Sequence, residues 1–127
     1  GNSAFLGCTG LTAINIPSSV TSIETSAFSG CTALTDISFK SGVTVIGDSA
    51  FEGCTTLATV TLPASVVSIG TSAFSGCTAL ADVTIPKATM SIRSAAFSGC
   101  VFKTVTINKI CSYQSDSFPT GITIENY

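Results

Sequence analysis

The residues able to do chemistry in this chain are six cysteines and seven carboxylates, and histidine is absent altogether. Six cysteines could form three disulfides or a metal cluster. Their spacing points elsewhere. Cys8, Cys31, Cys54, Cys77 and Cys100 each end an Ala-Phe-x-Gly-Cys motif, and each lies 23 residues after the last. Equivalent positions in a stacked repeat form a column with Cα atoms about 4.4 to 6.8 Å apart, yet side chains stacked in parallel do not aim at one another as a disulfide requires. Zinc needs close ligand pairs such as Cys-x-x-Cys, and the chain has none. The five therefore read as free, inward-facing thiols acting as small hydrophobes. Cys111 falls outside the column; it is the best candidate for a reactive or cross-linking thiol, but a buried cap residue is the favoured reading.

Acid and base catalysis needs carboxylates or imidazoles gathered in a cleft. Glu24, Asp36, Asp48, Glu52, Asp82, Asp116 and Glu125 are scattered. Only Asp36 and Asp82 share a repeat position, two units apart, which separates them by roughly 10 Å with Thr59 between them. That is wide for a retaining glycosidase pair and near the limit for an inverting one, so both read as solvated surface residues. No serine has a histidine partner, and Gly-x-Ser-x-Gly is missing. These absences argue against an enzyme and against a metal or cofactor site. The net charge is −2, and Lys40, Lys87, Arg93, Lys103 and Lys109 never form a run, which argues against a nucleic-acid groove. No apolar stretch approaches the ~18 residues of a membrane span, and no membrane insertion is expected of this segment. The first residues lack the basic and apolar regions of a signal peptide, so an export signal or anchor is expected outside the segment.

What must position these residues is the repeat itself. From Cys31 the unit reads Cys31, Leu34, Ile37, Phe39, Val43, Ile46, Ala50, Phe51, and the next reads Cys54, Leu57, Val60, Leu62, Val66, Ile69, Ala73, Phe74. A unit this short cannot bury its own apolar side, whereas stacked copies share one core, so each unit is a coil of a solenoid. Asp36-Ile37-Ser38-Phe39, Val60-Thr61-Leu62 and Val83-Thr84-Ile85 alternate polar and apolar residues, the period of a half-buried strand, and stacking makes them a parallel sheet. Pro17, Pro63 and Pro86 mark the strand exit. Val20 to Ile23, Val43 to Ile46 and Val66 to Ile69 predict a second, narrow sheet on the opposite side. Thr25-Ser26-Ala27-Phe28-Ser29-Gly30 predicts a single helical or 3-10 turn. Residues 1–100 are regular. Residues 101–127 read as a degenerate closing repeat, because Val105-Thr106-Ile107 comes one residue early and Phe118 follows Phe97 by 21 positions. The expectation is one domain over 1–127, cut at its N-terminal side from a longer array.

The unit Leu-x-x-Ile-x-Ile-Pro-x-Ser-Val-x-x-Ile-x-x-x-Ala-Phe-x-Gly-Cys resembles the BspA-like class of leucine-rich repeats, over nearly the whole chain. The resemblance implies a right-handed horseshoe of mostly β structure with the parallel sheet on its concave face. It also implies a place at the cell surface or in secretion and, for some members, virulence-associated adhesion to host matrix, cells or other bacteria. It implies no catalytic residue. Phe39-Lys40-Ser41-Gly42 and Thr89-Met90 depart from the pattern and are expected to alter local shape.

Strand residues flanking the buried positions point outward, giving the columns Ala13, Asp36, Thr59, Asp82, Thr104 and Asn15, Ser38, Thr61, Thr84, Thr106, with Lys40 at one rim. This flat, hydroxyl-rich, faintly acidic face is where an extracellular protein or glycan ligand is expected to bind. End-to-end self-association through the open first coil is a further expectation. The competing reading is a spacer or assembly segment that displays other domains, motivated by columns without Trp, Tyr or Arg.

Overall fold

The computed structural model describes residues 1–127 as a parallel-strand solenoid of about five turns with no helix. Each coil contributes a strand to the main sheet and a two-residue strand to a second one. The main strands are β1 (Ala13–Ile16), β3 (Asp36–Phe39), β5 (Thr59–Thr61), β7 (Asp82–Thr84), β9 (Thr104–Ile107) and β11 (Thr123–Asn126). The second set is β2 (Ser22–Ile23), β4 (Val45–Ile46), β6 (Ser68–Ile69), β8 (Ser91–Ile92) and β10 (Ser112–Tyr113).

The second sheet is continuous, in the order β10-β8-β6-β4-β2. The main sheet is not, and its ladder closes only in the pairs β1–β3, β5–β7 and β9–β11. One break coincides with Phe39-Lys40-Ser41-Gly42, where the strand exit lacks the proline of its neighbours. The other coincides with the residue lost after Cys100, which moves β9 out of the spacing kept by the earlier coils. The last main strand runs to Asn126, one residue short of the last residue of the sequence.

The expected helical or 3-10 turn does not form. Three overlapping four-residue turns replace it, closed by the amides of Ala27, Ser29 and Cys31 on the carbonyls of Glu24, Ser26 and Phe28 at 3.2 Å each. The intervening amides leave the coil. Ser26, Phe28 and Gly30 donate to Asp48, Ala50 and Glu52 of the next coil at 2.8 to 2.9 Å, and the pattern recurs at Ser49, Phe51, Gly53 and at Ser72, Phe74, Gly76. A helix would use every amide internally, and the left-handed Ser26 (φ 55°) turns the chain out of that path. The cost of left-handed backbone at a serine is offset by bonds to the neighbouring coil.

Between these walls lies one core. Phe5, Phe28, Phe51, Phe74 and Phe97 stack with centroids 5.1–5.2 Å apart and planes within 8° of parallel. Phe118 continues the column at 5.7 Å and 2° despite its shortened spacing, and Phe102 closes edge-on over both at 5.6 and 6.5 Å. Residues 101–127 thus extend the core by one more, irregular coil. Thr89, at a position held by valine in other coils, is fully buried, and its hydroxyl donates to the Val66 carbonyl at 2.9 Å.

All six cysteines are free. Cys31, Cys54, Cys77 and Cys100 are buried, and each thiol donates to the phenylalanine carbonyl of the preceding coil, Phe5, Phe28, Phe51 or Phe74, at 3.1–3.3 Å. Burial pushes the Cys54, Cys77 and Cys100 thiols up to about 12 and raises Cys31 and Cys111. The reading of Cys111 as a buried cap residue, favoured over a reactive thiol, agrees with the structure. It is 7% exposed at the edge of the core, and a buried thiol that resists ionisation is a poor nucleophile.

Candidate functional site

On the main sheet, the pleat sends alternate residues to opposite sides. Ile14, Ile37, Val60, Val83 and Val105 turn inward, against or into the core, and the residues on either side of them turn out. Asp36, Ser38, Thr59, Thr61, Asp82, Thr84 and Thr104 are exposed, and Thr106 is half-buried. In register, Asp36 lies beside Ala13, Ser38 beside Asn15, Thr59 beside Asp82 and Thr61 beside Thr84. Lys40 is exposed just past β3, and its amide donates to the Ile16 carbonyl at 2.9 Å. The structure places all nine residues along one face, although the breaks after β3 and after β7 divide that face into three two-strand patches.

Two features of this face escaped the sequence pattern. Glu125 pairs with Thr106 and Thr123 with Thr104, so a third carboxylate joins Asp36 and Asp82 along the same side. Beyond it, Tyr127 reaches back past β9 to the coil of β7, where its hydroxyl donates to the Ile85 carbonyl at 2.7 Å. The irregular spacing of the last coil hid both, because neither residue falls on a repeat position. Replacing Tyr127 with Phe should lower stability by about 0.5–1.5 kcal/mol through loss of that hydrogen bond. An unchanged melting temperature would mean that this clasp contributes nothing.

No three His, Cys, Asp or Glu side chains come close enough together to hold a metal ion, and no helix is long and apolar enough to cross a membrane. What the face offers is hydroxyls, spaced carboxylates and one lysine on a rigid sheet.

A parallel coil stack with one main strand per coil, a leucine or aliphatic core and an asparagine-free Phe-x-Gly-Cys corner defines a leucine-rich-repeat module, a general protein-interaction fold. The sequence profile of the BspA type leucine rich repeat region matches residues 1–124 in six copies, and the chain belongs to that family.

Solved relatives agree on the fold. A leucine-rich repeat protein from Bacteroides ovatus is 31% identical with a TM-score of 0.91, covering 98% of this chain and 32% of its own. One from Eubacterium ventriosum is 28% identical with a TM-score of 0.81, covering 98% of this chain and 34% of its own. The pneumococcal vaccine antigen PcpA, 24% identical with a TM-score of 0.83 over 99% of this chain and 33% of its own, shares the fold. The chain thus spans about a third of the length of these structures. No curated protein matches it.

Proposed function

We propose that this segment is a non-catalytic recognition module of a surface-exposed or secreted protein, binding an extracellular protein or glycan through its main-sheet face. The observation that carries the reading is the alignment of Asp36, Thr59, Asp82 and Thr104 with Ser38, Thr61, Thr84 and Thr106 on one exposed side of the strands. The family and a vaccine antigen among its structural neighbours support the location. Such a face forms no deep pocket, so binding gains strength from many weak contacts over a long array.

The test is saturable binding of the segment to an array of extracellular-matrix proteins and glycans, run beside the variant Asp36→Lys/Asp82→Lys. Reversing both charges should weaken binding about tenfold or more, since like charges brought together at an interface are strongly unfavourable. Equal binding by both proteins would move recognition off this face. Uniform silence would favour the second reading, a spacer, which draws support from columns holding no Trp, Tyr or Arg to anchor an interface.

A further inference from the structure

The opposite wall of the solenoid holds a feature that the main-sheet face lacks. A groove of about 400 Å³ runs across the second sheet, bordered by Ser22, Val45 and Ser68 and crossing the coils of β2, β4, β6 and β8. Its cause lies in one repeat position, occupied in successive coils by Glu24, Gly47, Gly70 and Arg93. The coils approach so closely there that a Cβ on Gly47 would stand 2.7 Å from the Ile23 carbonyl oxygen. One on Gly70 would stand 2.5 Å from Asp48 Oδ1 and 2.7 Å from the Asp48 nitrogen. The glycines thus let neighbouring coils close up, with the Asp48 carboxylate lying over Gly70, and the two ends of the groove carry long side chains of opposite charge.

Those ends are exposed. Glu24 takes a hydrogen bond from the Ser22 hydroxyl, and the Arg93 amide, not its guanidinium, is used within the fold, donating to Ile69 at 3.0 Å. Asp48 adds a second carboxylate beside the Glu24 half. One of its oxygens accepts from the Thr71 amide at 2.8 Å. The groove thus has Glu24 at one end, the Asp48 carboxylate between, Ser22 and Ser68 along it, and Arg93 at the other end.

We infer that this groove binds a short extended peptide, its free ammonium toward Glu24 and Asp48 and its terminal carboxylate toward Arg93. Dimensions support the fit. Three coil steps separate Glu24 from Arg93, about 15 Å at the spacing of neighbouring strands. An extended chain covers ~3.3–3.6 Å per residue, so about four residues span the two charges. A guanidinium forks onto a carboxylate in a planar, two-bond geometry, which gives the anionic end its direction.

The experiment is a titration of unblocked tetra-alanine into the isotopically labelled protein, followed at the amides of Gly47 and Gly70. The same titration is then repeated with the N-acetylated peptide, the C-amidated peptide and maltotetraose. Saturable shifts centred on those two glycines are expected in the millimolar range. Blocking either end should weaken binding about two- to fivefold, the usual scale for one exposed ion pair. Arg93→Gln should remove the preference for a free carboxylate and keep the preference for a free ammonium, while Glu24→Gln should do the reverse. Asp82→Lys, on the other face, should leave the titration unchanged, which separates this site from the main-sheet reading. The inference is overturned if the four ligands act alike, if maltotetraose binds best, or if the shifts fall on the main strands or nowhere.

Discussion

Raising the pH from 8 to 10 is expected to remove roughly 4 kcal/mol of stability from this protein through three buried thiols alone. Cys54, Cys77 and Cys100 stand at about 12 in the folded chain against an ordinary value of 9.0. Burial is the leading cause in each case. Above pH 9 the unfolded chain releases these protons and the folded chain keeps them, so unfolding is favoured as pH rises. Each thiol then contributes about 1.4 kcal/mol of destabilisation at pH 10. Cys31 and Cys111, also raised, act in the same direction. Denaturant titrations at pH 8, 9 and 10 would read the loss directly. Replacing the three cysteines with alanine should lower stability at pH 8 and flatten the alkaline slope. A slope unchanged by that replacement would falsify the assignment to thiols.

Phe74→Ala should cost about 3–5 kcal/mol, the range for truncating a fully buried aromatic residue. The ring is sandwiched between Phe51 at 5.1 Å and Phe97 at 5.2 Å and is fully buried, so its loss opens a void in mid-column that flanking coils cannot close. Phe5 offers the internal control. It begins the column, is 40% exposed and has one stacked neighbour, so Phe5→Ala should cost far less. Equal midpoints for the two variants in urea would show that the column does not distribute stability as its packing implies.

The fold was readable because one period governs everything. Once Ala-Phe-x-Gly-Cys recurs in register, Leu34, Leu57 and Leu80 must face the same core, and the structure buries all three completely. Both sheets follow from the same period. The helical turn did not follow, since Thr-Ser-Ala-Phe-Ser-Gly has the composition of a capped turn whether its amides bond within the coil or between coils. Only the neighbour decides, and the choice appears in the left-handed serines at 3, 26, 49 and 72. For the candidate site, alternation along the strand placed Asp36, Thr59 and Asp82 correctly. Glu125 and Tyr127 were hidden because the closing coil abandons the spacing that made the others legible. The groove was hidden for another reason. Gly47 and Gly70 carry no signal in the repeat pattern, and their meaning depends on a backbone distance between coils that no sequence pattern states.

The turn wall has one more consequence. Its bridging amides all point the same way, from Ser26, Phe28 and Gly30 toward the following coil, and so on down the stack. Aligned peptide dipoles add, as they do along a helix. This wall therefore behaves as an electrically polarised column whose dipole moment grows with the number of coils, amide hydrogens facing the C-terminal side and carbonyl oxygens the N-terminal side. The two ends of such an array are not interchangeable. A flanking segment that satisfies one end presents the wrong groups to the other, so repeats of this kind can be shuffled between proteins only with their direction kept.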